Sequence, residues 1–350
     1  MDINYSTISF PGFGIGNFTV DNEAFSIFGR SIAWYALIIV CGMIASVIYT
    51  TLQAKKIGIT FDDVIDFALF TIPIGVIGAR LYYVLSELDQ YETFMEVIDI
   101  TQGGLAIYGG IIAGGLTVLC VSIYKRINFL ALADCVAPAV LLAQGIGRWG
   151  NFMNGEAFGA QTDWFCRMGL QNSNTAFTFG TSEMVYVHPC FLYESIWNLL
   201  GVLLVYLFGK FIHKKYDGQQ FLMTFAWYGF GRAFIEGLRT DSLYFMKNLL
   251  GETIRVSQAL GIAIFLVCAA FLVYFAIKKP NKEFYYKPAP VLDKKGKPVK
   301  VENGFVELWN KLKAWKSNHK FSKENEAKDR KNNRDRLSHY LSEDNNQKDN

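Results

Sequence analysis

The chain has 350 residues, 51% of them hydrophobic and only 19% charged, against roughly 25% charged in an ordinary soluble protein. The charge is lopsided: residues 1–277 hold 15 Lys and Arg against 20 Asp and Glu, and 278–350 hold 19 against 11, so a −5 block is joined to a +8 tail. Apolar stretches of 18–24 residues, each able to cross about 30 Å of hydrocarbon as a helix, argue against a soluble globular enzyme, a coiled coil or a nucleic-acid-binding domain.

In chain order, residues 1–29 carry acids, Gly and Pro but no basic segment ahead of an apolar core. No cleavable signal peptide is expected, and the first apolar segment is kept as a membrane helix. Seven spans are predicted, near 32–52, 64–86, 104–124, 130–147, 189–212, 219–238 and 256–277.

The first span opens on Trp34 and Tyr35. The second is interrupted by Arg80, directly after Gly75, Gly78 and Ala79, small residues that would let a neighbouring helix come close. An arginine at mid-membrane costs roughly 2.5–3.5 kcal/mol on insertion scales, so Arg80 is either one partner of a structural salt bridge or part of a ligand site. The third span opens with G-G-L-A-I-Y-G-G at 103–110. It lacks the G-K-[ST] of a phosphate loop, so small-residue helix packing is the default, with Tyr108 an interfacial hydroxyl between glycine pairs.

At the end of the fourth span, 145–159 reads G-I-G-R-W-G-N-F-M-N-G-E-A-F-G. It contains G-x-G-x-x-G, but no βαβ unit surrounds it and a dinucleotide site is rejected. The expectation is a Gly-rich turn presenting Arg148, Asn151, Asn154 and Glu156, where backbone can approach a ligand closely; the simpler alternative is a polar turn capped by Asn. Residues 148–187 read as a small extracytoplasmic head, and the alternation Ala176, Phe177, Thr178, Phe179 predicts a short strand or hairpin there.

His188 precedes Pro189 at the start of the fifth span and is followed by Tyr193 and Glu194. It is either a capping or buried structural residue or a chemical one. The sixth span carries Arg232, Glu236 and Arg239 at i, i+4 and i+7, which would put all three on one helix face. They form either a self-neutralising ladder or an anion site, because one carboxylate cannot neutralise two guanidiniums and Arg forks match phosphate oxygens.

After the seventh span, 281–350 is too polar to bury enough surface to offset chain entropy, and a disordered tail is expected. Phe305, Leu308, Trp309, Leu312 and Trp315 suggest an amphipathic helix near 303–317 on an anionic inner leaflet. Lys55 and Lys56, Lys125 and Arg126, Lys210, Lys214 and Lys215, and the tail all sort to one side, and the acidic 87–102 loop to the other. By the positive-inside rule the N-terminus is outside and the C-terminus cytoplasmic. The fold class is thus an all-α polytopic membrane protein with seven transmembrane helices and a small extracytoplasmic head. Its membrane domain covers 1–280, with the head at 148–187, and its basic tail covers 281–350. The six cysteines include no C-x-x-C pair, so neither a disulfide framework nor a zinc site is expected. No metal and no cofactor are implied.

The constellation resembles bacterial prolipoprotein diacylglyceryl transferases over most of residues 30–277. The most specific part is G-R-x-G-N-F-x-N-G-E-x-x-G, matched at 147–159. In order with it stand the W-Y of span one, G-G-L-x-x-Y-G-G, H-P-x-x-L-Y-E at 188–194 and R-x-x-x-E-x-x-R at 232–239. The resemblance implies a plasma-membrane (inner-membrane) enzyme working within the lipid bilayer. It would transfer the diacylglyceryl group of phosphatidylglycerol to the lipobox cysteine in the signal peptide of a preprolipoprotein, forming a thioether and releasing glycerol 1-phosphate. Phosphate-holding candidates are Arg148 with Arg239 or Arg232. Asn151 and Gly159 would belong to the substrate site, Tyr35 would touch it, and Glu156 and Glu236 would orient arginines; Arg80 is a further binding candidate. Many family members have His where this chain has Tyr108, so a histidine base does not carry over. Tyr108 is assigned hydrogen bonding or proton relay, with His188 and Glu156 as alternative bases.

A transporter or a seven-span receptor would share the span count and buried charges, and Asn-x-Ser/Thr sequons begin at Asn4 and Asn17. A transporter should carry paired halves with broken helices. No internal repeat is found, and the polar residues gather toward one face.

Overall fold

The computed structural model describes residues 5–278, apart from 28, 92, 101–102, 241–243 and 248–252, together with residue 314. The chain divides into two units: one holds 1–118 with 127–287, the other 119–126 with 288–350. The expected tail, 281–350, and its amphipathic helix therefore lie outside the described residues, residue 314 excepted. The helices are α1 (Trp34–Ala54), α2 (Phe61–Ser86), α3 (Phe94–Ile98), α4 (Ile107–Lys125), α5 (Phe129–Met153), α6 (Ser173–Phe179), α7 (Cys190–Leu207), α8 (Gln219–Ile235) and α9 (Val256–Lys278). The strands are β1 (Tyr5–Phe10), β2 (Ile15–Asp21), β3 (Glu23–Ile27), β4 (Arg30–Ala33), β5 (Met168–Gln171), β6 (Val185–Val187), β7 (Tyr244–Lys247) and β8 (Thr253–Arg255).

Among the described residues, six helical segments are long and apolar enough to cross a membrane: Trp34–Ile57, Phe61–Ser86, Ile107–Lys125, Phe129–Met153, Cys190–Ile212 and Val256–Lys278. The chain is a multi-pass membrane protein. The segment read as the sixth span is α8, 17 residues continued by one 3-10 turn, Glu236–Leu238.

Helix boundaries follow local chemistry. After α1, Gly58 takes a left-handed φ of 80°, and Thr60 with Asp63 forms a capping box that starts α2. Asn128 caps α5, its Oδ1 accepting from the amides of Leu130 (2.9 Å) and Ala131 (3.3 Å). Between helices in lipid, association rests on close packing at small residues. Ser46 Oγ of α1 donates to the Ala139 carbonyl of α5 at 2.7 Å, and Ser195 Oγ of α7 donates to the Gly145 carbonyl at 2.8 Å. A Cβ on Gly229 of α8 would lie 2.6 Å from the Gly261 carbonyl of α9, and one on Gly78 of α2 would lie 2.2 Å from the Ala113 Cβ of α4.

Trp197 of α7 and Trp227 of α8 stack with centroids 4.2 Å apart and planes 13° from parallel. Each indole Nε1 donates to the other residue's carbonyl, at 3.1 and 2.9 Å. One turn on, each helix has a glycine under its partner's ring: a Cβ on Gly201 would meet Trp227 Cδ1 at 2.4 Å, and one on Gly231 would meet Trp197 Nε1 at 2.1 Å.

A four-stranded antiparallel sheet, ordered β2-β1-β5-β6, closes one end of α5 and α7. Its core joins Ile8, Val20, Met168, Leu170, Val185 and Val187 with Phe158 and Phe191. The β3–β4 hairpin leads directly into α1, and β7–β8 stands between α8 and α9. At the opposite end of α5, Asp134 accepts from Lys214 Nζ (3.0 Å) and from the amides of Gly218 (2.9 Å) and Phe221 (2.8 Å), which ties the start of α8 to α5. Lys214 also contacts Asp217 at 2.7 Å. Burial alone would lower the Lys214 pKa, but the charges and hydrogen bonds of Asp134 and Asp217 reverse the effect and raise it.

Three expectations need correction. The head is not built from 148–187 alone, because half of its sheet comes from residues 5–21, where no strand was predicted. The alternating stretch 176–179 is helical, not extended: Asn172 and Thr175 form a capping box, and Gly180 at φ 68° ends α6. Finally, α5 runs to Met153, so Arg148 and Asn151 ride on its last turns, and only the residues after them form the Gly-rich turn.

Candidate functional site

Three arginines from separate stretches of chain converge on one carboxylate. Glu194, in the first turns of α7 with its side chain only 7% exposed, lies 2.6 Å from Arg148 Nη2, 3.3 Å from Arg232 Nη1 and 3.1 Å from Arg239 Nη1. Glu236 forms a second ion pair with Arg232, at 2.7 Å. Among the described residues, three guanidiniums gather on Glu194 and Glu236, and Arg148, 22% exposed, is the most open of the three. Such an array suits a bound anion, since preformed cationic forks in a poorly hydrated site are strong and directional.

Arg148 extends the network along α5. Its Nη1 donates to Asn151 Oδ1 at 3.3 Å, and the amides of Asn151 and Asn154 donate to Glu156 Oε1 at 2.9 and 3.3 Å. Gly155 has φ 58° and Ala157 φ 56°, so the chain reverses sharply here. Asn172 Nδ2 holds that reversal through the Gly155 carbonyl at 2.8 Å. Tyr35 packs its ring on Gly150, where a Cβ would come within 2.7 Å, and interacts electrostatically with Glu156 and Arg148.

Arg239 arrives by a different route from the one its spacing predicts. The α-helix stops at Ile235 and Arg239 itself is extended (ψ 147°), so the i, i+4, i+7 face does not reach it. Instead, Gly159 and Arg239 bridge as antiparallel neighbours. Around that bridge, Gly159 N donates to His188 O at 2.9 Å, Ala160 N to Leu238 O at 2.8 Å and His188 N to Ala160 O at 3.1 Å. A Cβ on Gly159 would meet His188 Cβ at 2.7 Å, Leu238 O at 2.8 Å and Cys190 Sγ at 2.9 Å, so only glycine fits this crossing.

His188 stands in a neighbouring string: its Nδ1 is 3.3 Å from the Tyr193 hydroxyl, which is 3.1 Å from Cys166 Sγ. Burial lowers the His188 pKa below 6.5, which favours a neutral imidazole at neutral pH. Tyr108, half-buried in the first turn of α4, is an electrostatic neighbour of Tyr228, which also interacts with Arg232, Glu194 and Arg148. Arg80 is bound up with backbone. Its guanidinium donates to the carbonyls of Glu96, Val97, Gly103 and Gly104.

Two residues were not singled out by sequence. Glu194 is visible there only as the last letter of H-P-x-x-L-Y-E, and its partners lie up to 46 positions away (148 to 194). Tyr228 gives no sequence signal beyond standing one helical turn before Arg232.

The family model for prolipoprotein diacylglyceryl transferase matches residues 22–274. Among similar proteins, the phosphatidylglycerol–prolipoprotein diacylglyceryl transferase of Enterococcus faecalis is 43% identical over 271 residues, 76% of this chain and 94% of that protein. Transferase 1 of the same name from Clostridium perfringens is 43% identical over 258 residues, covering 73% and 96%. That of Clostridioides difficile is 40% identical over 264 residues, covering 75% and 98%.

Proposed function

Because the chain belongs to the prolipoprotein diacylglyceryl transferase family, we propose that it transfers the diacylglyceryl group of phosphatidylglycerol to the lipobox cysteine of a preprolipoprotein. The observation that carries this reading is the convergence of Arg148, Arg232 and Arg239 on Glu194. The cysteine sulfur attacks the glyceryl carbon that bears the phosphate. A C–S thioether bond forms as the C–O bond breaks, the bonding pair leaves with the phosphate oxygen, and glycerol 1-phosphate is released.

Charge builds on the departing phosphate, and the arginines are already held in place to meet it without reorganisation. Glu194 and Glu236 keep the guanidiniums oriented in the free enzyme. The thiol, with an ordinary pKa of about 8.5, must give up its proton to become an effective nucleophile. His188 is one acceptor, favoured by its neutral ring; Tyr108, in the first turn of α4, is the hydrogen-bonding or relay group. Glu156 already accepts from two side-chain amides, so its part is to hold Asn151 against Arg148.

In this reading α8 with its 3-10 turn is the sixth of seven spans, the sheet and the arginine site face the outside of the plasma membrane, and Lys55, Lys56 and the tail face the cytoplasm. The signal peptide of the preprolipoprotein would approach through the bilayer at that outer face. The test is incubation of purified protein with phosphatidylglycerol and a lipobox peptide, followed by mass measurement of the peptide. A diacylglyceryl increment on the cysteine is expected. Arg148→Ala should lower turnover by ~10²–10³-fold, the loss typical of removing one preorganised donor, while the protein still inserts. Normal turnover in that variant would refute the phosphate-holding role.

A further inference from the structure

Arg80 had two sequence readings, salt-bridge partner or substrate ligand, and its surroundings fit neither. Its Nε donates to the Val97 carbonyl (2.9 Å), Nη1 to those of Gly103 (2.9 Å) and Gly104 (3.0 Å), and Nη2 to that of Glu96 (2.6 Å). A guanidinium has five N–H groups in a rigid fork, and four are engaged here by backbone. Tyr91 covers its plane with the ring centroid 5.2 Å from Cζ, and the residue is only 9% exposed. A lipid phosphate would have to displace these carbonyls to reach it.

What those carbonyls belong to is informative. Gly103 and Gly104 both have positive φ, 91° and 73°, and lead straight into α4 and Tyr108. The amide of Ala106, between them and Tyr108, donates to the Ala79 carbonyl of α2, one residue before Arg80 (3.0 Å). Just beyond Tyr108, Gly109 packs so tightly on α2 that a Cβ would come within 2.3 Å of the Gly78 carbonyl. Arg80 therefore sets the turn, the turn sets the start of α4, and the start of α4 carries Tyr108, at the position where many family members have His.

We propose that Arg80 is a positioning residue for the transfer reaction, acting through the Gly103–Gly104 turn to seat Tyr108 and not by touching the lipid. The proposal rests on the transferase reading above. Lysine, a point charge on a flexible stem, cannot span four carbonyls as the planar fork does, so retaining the charge should not retain the function.

The experiment compares Arg80→Lys, Arg80→Met, Tyr108→Phe and the pair Arg80→Lys/Tyr108→Phe in the phosphatidylglycerol and lipobox-peptide assay. We expect Arg80→Lys and Arg80→Met to lose kcat alike, by ~10-fold or more, with KM for phosphatidylglycerol unchanged. In the Tyr108→Phe background, Arg80→Lys should cost less than ~2-fold further, the non-additivity of two residues acting through one contact chain. A Lys variant that keeps kcat while KM for phosphatidylglycerol rises, or losses that multiply, would overturn the proposal. Should the Arg80 variants fail to fold, Gly104→Ala is the second route. Its Cβ would come within 2.3 Å of Arg80 Nη1, and the same kcat loss and the same non-additivity with Tyr108→Phe are expected; additive loss would again overturn it. If wild type transfers nothing, the transferase reading fails on its own account. Amide exchange over 94–106 then decides Arg80's hold on the turn, with faster exchange in Arg80→Lys expected and unchanged exchange overturning it.

Discussion

Glu194 is the residue on which the site closes. It neutralises part of three guanidiniums that would otherwise face one another across a poorly hydrated space. Breaking a buried ion pair by deleting one partner costs about 3–5 kcal/mol, because the remaining charges are stranded. Glu194→Ala should lower stability by that order, read as a fall in unfolding temperature in detergent, whereas Arg239→Ala, which leaves two guanidiniums still paired, should lower it less. Equal losses would mean that the three contacts are not organised around Glu194. At this scale the sequence was informative about chemistry and silent about geometry. Arg148, Arg232 and Arg239 stood out because charge is rare near hydrocarbon. Glu194 did not, since its partnerships cross 38 to 46 positions and no local pattern encodes them. Arg80 stood out for the same physical reason as the others, yet its donors go to backbone carbonyls, which leave no trace in side-chain identity.

Among the elements, α7 and α8 are locked by the paired indoles over paired glycines. Trp197 lies one turn beyond Glu194, and Gly231 immediately precedes Arg232, so the clasp fixes the register at which carboxylate and guanidinium meet. Gly231→Ala should cost about 1–3 kcal/mol, the usual range for overpacking a tight contact, and should lower transfer as well. A stable, fully active Gly231→Ala protein would show that the register is set elsewhere. The long helices were legible because twenty apolar residues can do little else in lipid. The errors fell on short segments, where composition competes with capping. Alternation at 176–179 suggested a strand, but Asn172 and Gly180 bracket those residues with helix caps. The Gly-rich run suggested a turn presenting Arg148 and Asn151, but α5 continues to Met153, with Gly145 and Gly150 as packing positions against α7 and Tyr35.

For the molecule as a whole, the proposed orientation gives the basic tail no part in catalysis. A chain ending after 280 should therefore retain transfer within about 2-fold, a change of under 0.5 kcal/mol in barrier, when measured at equal amounts of inserted protein. Loss of turnover in a stably inserted truncation would tie the tail to the reaction. The sheet had no sequence signature of comparable strength, since β1 and β2 are short and their alternation is mixed with polar residues.

The middle position of β1 in that sheet has a consequence for biogenesis. On one side β1 pairs with its neighbour β2; on the other it waits for β5, whose Leu170 sits opposite Ile8. Four long helices, α1, α2, α4 and α5, are made between the two partners. Strand β1 thus remains half-paired, with an open edge, until more than 160 further residues have followed Ile8. Such an edge is a template for wrong partners, and the cell's insertion and quality-control machinery must cover that interval.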